Sequence, residues 1–156
     1  MRRAARALAM SIWHGLLRKL GLGERAARHP VSVFVLDDDR LRHDWFARRF
    51  ADGDQLDTAV DPAAAIELLS SNYYEAIFLD HDLLPEHYGA DEHDDERTGY
   101  AVAAWLAAHP DRQRDALIVI HSLNYTGAGR MLDALRDAGR DAEHVPFHYL
   151  QSQLRL

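Results

Sequence analysis

The stretch EAIFLDHD, residues 75–82, is an apolar run that ends abruptly in three polar side chains able to bind a metal ion. Two other runs follow the same pattern: VSVFVL at 31–36 stops at three aspartates, and ALIVI at 116–120 stops at a His-Ser pair. Short apolar runs rich in β-branched residues are typical of buried parallel strands. In an open α/β sheet the carboxyl ends of such strands form the edge where ligands bind. The sequence therefore gathers carboxylates, imidazoles and a hydroxyl at one candidate site.

The composition is that of a soluble globular chain. Its 156 residues suffice for one domain with a hydrophobic core, and the apolar share of 47% and charged share of 28% are ordinary. The absence of cysteine excludes disulfides, zinc–thiolate sites and thiol nucleophiles, and it suits a reducing compartment, so we expect a cytoplasmic location. No apolar run approaches the roughly 18 residues that span a bilayer, and we expect no transmembrane segment.

The net charge of -7 is unevenly distributed. Residues 1–30 hold seven basic side chains against one glutamate, a balance of +6, whereas the rest of the chain holds 11 basic and 24 acidic side chains, a balance of -13. An acidic body discourages binding to a nucleic-acid polymer, which needs many contacts between basic side chains and phosphates. We expect small phosphorylated ligands rather than DNA or RNA.

Residues 1–22 have the pattern of an amphipathic helix. Apolar side chains recur every four residues, and basic or imidazole side chains lie opposite: Leu8, Ile12, Leu16 and Leu20 against Arg3, His14 and Arg18. Gly21, Gly23 and Pro30 end the helix and its linker. We expect segment 1–30 to pack on its own domain, in a homodimer or on a partner protein. A membrane-surface helix and a signal peptide are alternatives.

The body, residues 31–150, alternates strands and helices and leaves a short tail at 151–156. The predicted strands are 31–36, 55–60, 76–80, 116–121 and 143–150, and the predicted helices are 40–50, a helix that begins at Asp61-Pro62, 98–109 and 127–138. This alternation predicts a doubly wound parallel sheet of the flavodoxin-like type, with strand order 2-1-3-4-5. Strands one and three are then neighbours, which brings Asp37, Asp38 and Asp80 side by side.

The run VFVLDDD, the strand that ends at Asp80 and the strand–helix alternation resemble the receiver domain of bacterial response regulators. The resemblance covers about residues 31–150. It implies that Asp37 and Asp38 are an acidic pair that holds a magnesium ion together with Asp80. It also implies that Asp80 is the position that accepts a phosphoryl group.

The chain departs from that pattern in several places. Receivers carry a lysine at the end of strand five, and the matching segment, residues 145–148, has none. A His-Ser pair follows strand four where receivers have Thr or Ser and a small residue. The proline after the acceptor stands five residues away instead of four. Receivers also have a fifth helix, and only residues 151–156 remain for it, so we expect the N-terminal helix to cover the exposed sheet face.

These departures form a pattern of their own. LDHDL around Asp80, Thr98-Gly99 and HSLN at 121–124 resemble a divergent group, the cyclic-phosphate processing receiver domains. That resemblance implies action on cyclic phosphates, nucleotides or ADP-ribose derivatives.

Clustered carboxylates at one strand edge require a cation or shifted pKa values. The proposed metal ligands are Asp37, Asp38, Asp80 and Asp82, an all-oxygen set that favours Mg²⁺, and imidazole ligands would admit Mn²⁺. His121 is the candidate acid and base and acts together with Asp80, while the candidate phosphate-binding residues are Ser122 and Asn124; His81 and Thr98 are further candidates.

Each of these residues has a structural alternative. Asp38 and Asp39 could cap the first helix, and Asn124 could cap the fourth. His81 would point away from Asp80 and Asp82 if the strand continued through it. The acidic loop 86–96 could be no more than a solvated segment.

The sequence thus supports a receiver-like domain that processes a phosphorylated small molecule with a divalent metal ion, as a phosphoesterase. The alternative is a non-enzymatic receiver module for signal transduction, phosphorylated at Asp80 or acting by protein contact. A third interpretation is a degenerate scaffold that uses its sheet for dimerisation.

Overall fold

The computed structural model describes residues 30–50, 53–88 and 93–153. The helix predicted in residues 1–22 lies outside the described residues. Five strands form one parallel sheet in the order β2-β1-β3-β4-β5. The strands are β1 Ser32–Leu36, β2 Gln55–Ala59, β3 Ala76–Leu79, β4 Leu117–Ile120 and β5 Ala142–His144. The predicted flavodoxin-like fold and strand order are confirmed.

Five α-helices connect or follow the strands in the described part of the chain. They are α1 Arg40–Arg49, α2 Pro62–Ser71, α3 Gly99–Ala108, α4 Tyr125–Asp137 and α5 Phe147–Gln153, and a short 3-10 helix, Pro85–His87, follows β3. Several of these helices begin at a residue whose side chain caps the first turn. Asp39 accepts from Leu41 N at the start of α1, and Asp61 accepts from Ala64 N at the start of α2.

The alternation of side chains along each strand divides the core into two layers. One face of the sheet, with Phe34, Ile77 and Ile118, packs against α2, α3 and α4. The other face packs against α1 and α5 through Val33, Val35, Phe78, Val119, Trp45, Phe46 and Leu150. Helices therefore cover both faces of the sheet. The polar side chains follow the strands at their carboxyl ends.

The sequence-based prediction for the C-terminus was wrong. The predicted strand 143–150 is instead the three-residue β5, followed by α5 at Phe147–Gln153. Leu150 is buried and Phe147 is partly buried against the α1 face of the sheet. A fifth helix is thus present, residues 151–153 belong to it, and the face that the N-terminal helix was expected to cover already has an occupant.

In the part of the chain that the structure describes, no helix combines the length and the apolarity needed to cross a bilayer.

Candidate functional site

Three buried polar side chains meet where β1, β3 and β4 end. Leu36 pairs with Leu79, and Leu79 pairs with Ile120, so the residues that follow these strands lie side by side. These residues are Asp37, Asp80 and His121, which are 0%, 4% and 1% exposed. One ligand atom from each lies within 4.8 Å of the others. The predicted convergence of the strand ends is therefore present for these three residues.

His121 is held by Asp37 and by aromatic rings. Its Nε2 lies 2.6 Å from Oδ2 of Asp37, and its ring contacts Phe46 and Phe147. Its Nδ1 is buried and has no hydrogen-bond partner among the described residues. When the ring is neutral and donates Nε2–H to Asp37, Nδ1 keeps an unshared pair and is a candidate acceptor or ligand atom, whereas the protonated ring offers no such pair.

Arg42 completes the cluster, although sequence reasoning did not include it. Its Nε donates to Oδ2 of Asp37 at 2.7 Å, and its Nη2 donates to Oδ1 of Asp37 at 2.8 Å. The same Nη2 donates to Oδ2 of Asp80 at 2.9 Å. Planar two-pronged pairing of this kind is a geometry that arginine provides and lysine does not. The only available sequence signal was a basic residue one turn into the helix that follows the aspartates.

The surroundings shift the pKa values of Asp37 and Asp80 in opposite directions. Burial opposes ionisation of Asp37, but the hydrogen bonds and charges of His121 and Arg42 outweigh it and lower the pKa of this group below its ordinary value. Burial, assisted by the negative charge of Asp37, raises the pKa of Asp80, against the opposing effects of His121 and Arg42. The hydrogen bonds and negative charges of Asp37 and Asp80 outweigh burial and raise the pKa of Arg42, which keeps its charge.

Asp38 lies at the mouth of the cluster. The hydroxyl of Tyr88, in the loop after the 3-10 helix, donates to Oδ1 of Asp38 at 3.0 Å. Nη2 of Arg42 lies 3.6 Å from the same oxygen. Burial and the hydrogen bond to Asp38 raise the pKa of Tyr88 to about 12. The acidic loop therefore reaches the site through Tyr88.

Asp82 and His81 form a separate pair. His81 Nδ1 lies 2.6 Å from Oδ1 of Asp82, and the Asn124 amide donates to the same oxygen at 3.0 Å. His81 was expected to point away from Asp82 only if the strand continued through it, and that condition is not met, because β3 ends at Leu79. The buried metal-capable group found among the described residues does not include Asp82.

The remaining candidates lie around the start of α4 and α3. Asn124 is the N-cap of α4, and its side chain accepts from Gly127 N at 2.9 Å, as the structural alternative proposed. The Ser122 hydroxyl accepts from Asn124 N at 3.1 Å. The Thr98 hydroxyl is buried without a hydrogen-bond partner in the described residues. The two phosphate-binding candidates thus already have local partners.

The fold is that of response-regulator receivers. Similar solved structures include a response regulator from Burkholderia pseudomallei with a phosphorylated aspartic acid, calcium ion and citrate (TM-score 0.52, 21% identity, covering 80% of this chain and 66% of that one). A CheY-like receiver domain protein from Methanospirillum hungatei has a TM-score of 0.55 at 12% identity, with 81% and 94% covered. A sensor protein from Polaromonas has a TM-score of 0.55 at 18% identity, with 81% and 94% covered. The chain spans just under two thirds of the Burkholderia protein. No curated protein sequence matches it.

A match to a family model identifies the chain more specifically than its fold does. The family model of the cyclic-phosphate processing receiver domain matches residues 32–137, which include every strand except β5. The chain belongs to this family.

The donor set fits a divalent metal ion. Two carboxylates and an imidazole suit Mn²⁺, and the carboxylate oxygens alone suit Mg²⁺. The same oxygens also accept from Arg42. Binding a metal ion here would therefore require the guanidinium group to leave.

Proposed function

We propose that Asp37, Asp80 and His121 bind a divalent metal ion with which this chain hydrolyses a small phosphorylated ligand: a cyclic phosphate, a nucleotide or an ADP-ribose-type substrate. The observation that carries the proposal is the buried convergence of two carboxylates and an imidazole at the ends of β1, β3 and β4. Family membership supports the substrate class. Mg²⁺ and Mn²⁺ are the metals that these donors favour.

The surroundings of each residue support a particular role. Asp37 and Asp80 would hold the metal ion through their oxygens. His121 is fully buried and bound to Asp37, so we assign it to holding the metal and orienting the carboxylate rather than to moving protons at the substrate. The bound ion would polarise a phosphoryl oxygen and lower the pKa of a water molecule.

Ser122 and Asn124 are the two candidates for phosphate recognition. The Asn124 side chain uses its oxygen to cap α4 and its amide to hold Asp82. The Ser122 hydroxyl accepts from Asn124 N and hydrogen-bonds the Asp80 carboxyl group, so it lies beside the proposed metal ligands. We therefore favour Ser122 over Asn124 as the donor to a phosphate oxygen.

Hydrolysis of a substrate panel tests the proposal. The full chain is incubated with Mg²⁺ or Mn²⁺ and a panel of cyclic nucleotides and cyclic sugar phosphates, and products are separated by liquid chromatography. We expect metal-dependent ring opening to a linear monophosphate. The activity should vanish in Asp37→Ala and persist in Asp111→Asn, which changes an exposed acid outside the cluster. Hydrolysis that survives Asp37→Ala would contradict this site assignment.

The alternative is a receiver that signals by phosphorylation of Asp80 or by protein contact. Its support is the position of Asp80 at the end of β3 in a receiver fold. Both Asp80 oxygens already accept hydrogen bonds, Oδ1 from His81 N and Oδ2 from Arg42. Incubation with a small phosphoryl donor and Mg²⁺ tests it by intact mass. A stoichiometric phosphate that Asp80→Asn abolishes would make signalling the better proposal.

A further inference from the structure

The guanidinium group of Arg42 lies between the two carboxylates that are proposed to bind the metal ion. It donates to both oxygens of Asp37 and to one oxygen of Asp80 at 2.7–2.9 Å. The remaining oxygen of Asp80 accepts from His81 N at 2.8 Å. All four carboxylate oxygens thus have a donor without any ion.

Arg42 compensates one of the two negative charges in addition to supplying hydrogen bonds. Unpaired buried carboxylates would repel each other and lose hydration, which is costly in a protein interior. Arg42 brings a positive charge to both Asp37 and Asp80, and most of its own side chain is buried with them, since it is 15% exposed. The cluster can therefore stay folded and closed in the absence of metal.

The structure also offers a place to which Arg42 could move. An open surface cavity of about 350 Å³ lies beside it, lined in part by Asp39, Asp44, Arg48 and the ring of Phe147. Nη1 of Arg42 already lies 3.9 Å from Oδ2 of Asp39, and its guanidinium carbon lies 5.9 Å from the centre of the Phe147 ring. Two acidic side chains and an aromatic face are suitable neighbours for a displaced guanidinium group.

We propose that Arg42 is an internal competitor of the metal ion, so that a divalent cation enters the Asp37–Asp80 pair only by displacing the guanidinium group. This inference rests on the proposed metal-dependent function and adds a regulation of that same site. The chain then has a closed form balanced by arginine and an open form balanced by metal, and the affinity for metal is set by the strength of the arginine contacts.

Metal affinity measured without any substrate tests the competition. The probe is Mn²⁺ alone, with free Mn²⁺ followed by electron paramagnetic resonance at neutral pH, on full-length wild type, Arg42→Gln, Arg42→Lys and Arg40→Gln. Arg40 is an exposed residue of the same helix that does not line the cavity, and it controls for the general loss of one positive charge. We expect Arg42→Gln to bind Mn²⁺ at least about tenfold more tightly than wild type, a modest gain for three lost charge-assisted bonds. The Mn²⁺ affinity of Arg42→Lys should fall between those of wild type and Arg42→Gln, and that of Arg40→Gln should match wild type.

Stability provides a second measurement. Without metal, Arg42→Gln should have a lower free energy of unfolding than wild type. Saturating Mn²⁺ should narrow this difference, because the ion binds only the folded state and is expected to bind the variant more tightly. If Arg42→Gln does not fold without metal, Arg42→Lys carries the comparison, because lysine keeps the charge but loses the two-pronged contact.

The outcomes separate this inference from the proposed function. Equal Mn²⁺ affinity in wild type and Arg42→Gln would overturn the competition and leave the metal site standing. Binding in Arg42→Gln with none in wild type would support the competition and count against metal-dependent activity of the resting chain. Absence of binding in every variant would overturn both.

Discussion

Nη2 of Arg42 lies 2.9 Å from Oδ2 of Asp80, although the two residues are 38 positions apart in the chain. Arg42 belongs to α1 and Asp80 follows β3, so the contact joins two elements that pack around the same strand edge. This receiver-like site thus has a cation of its own, delivered by a helix rather than by the end of β5. We expect this contact to determine how the carboxylates respond to metal and to substitution.

Asp37 should be the most important carboxylate for stability without metal. Asp37 accepts hydrogen bonds from Asp39 N, from Arg42 and from His121. In Asp37→Asn the new NH₂ group, itself a donor, would face at least one of these donors. We expect the free energy of unfolding to fall by about 3–5 kcal/mol, as when one partner of a buried ion pair is removed. Asp38→Asn, at the partly exposed mouth, should cost less than about 1 kcal/mol. Urea unfolding in the presence of a metal chelator measures the free energy of unfolding of both variants. Equal losses in Asp37→Asn and Asp38→Asn would contradict the assignment of Asp37 as the more important carboxylate.

Asp82 should contribute little to metal binding. Its carboxylate pairs with His81 and Asn124 and lies outside the buried Asp37–Asp80–His121 group. We expect Asp82→Asn to retain the rise in melting temperature that Mn²⁺ produces, and Asp80→Asn to lose it, in thermal unfolding with and without the ion. Equal loss in the two variants would restore Asp82 to the ligand set that the sequence suggested.

Three glycines of α3 and α4 should respond differently to alanine. A Cβ at Gly99 would lie 1.8 Å from the carbonyl oxygen of Asp80, and a Cβ at Gly127 would lie 2.5 Å from the His81 ring, whereas nothing lies within 4 Å at Gly129. We expect Gly99→Ala and Gly127→Ala to lower the free energy of unfolding by about 1–3 kcal/mol or more. The loss should be larger for Gly99→Ala, because the backbone of Asp80 would have to move. Gly129→Ala should be neutral or stabilise by up to about 1 kcal/mol. Denaturant unfolding of the three variants gives the ranking.

Arg140 should be a structural arginine. It is buried and donates to the carbonyls of Leu106, His109, Arg112 and Gln113, so it satisfies the end of α3 and the following turn. Arg140→Met keeps most of the side-chain volume and leaves these acceptors unpaired. We expect a loss of about 3 kcal/mol or more. Arg114→Met, at an exposed position, should change stability by no more than about 0.5 kcal/mol, and a similar loss there would contradict the explanation.

Tyr88 provides a pH-dependent test of the contact between the acidic loop and the site. Burial and the Asp38 carboxylate raise the pKa of Tyr88 from 10.0 to about 12. Because the pKa is raised in the folded state, the stabilising contribution of Tyr88 is complete below pH 10.0 and is lost as the pH rises through about 12. The tyrosinate absorbance difference between wild type and Tyr88→Phe should therefore have its midpoint near 12. Asp38→Asn should lower that midpoint, and Asp39→Asn should not.

Four of the five strands and most helix starts could be predicted because their signals are local. Apolar runs of strand length, Asp61 with Pro62 at the start of α2, and Asn124 at the start of α4 depend only on neighbours in the chain. The sheet order followed from the alternation of elements. The segment 147–150 misled the prediction because its aromatic and apolar side chains suit a strand as well as a helix. Packing of Phe147 and Leu150, three residues apart, against one sheet face favours the helix.

The sequence by itself determined that aspartates and a histidine follow three neighbouring strands, since strand length and sheet order place those residues at one edge. Tertiary structure alone decided which groups they contact: Arg42 bridges Asp37 and Asp80, and His81 turns to Asp82. The physical reason is that strand periodicity stops where the strand stops. Beyond Leu36 and Leu79, the direction of each side chain depends on the helix packed above it and on which buried donors remain to be paired.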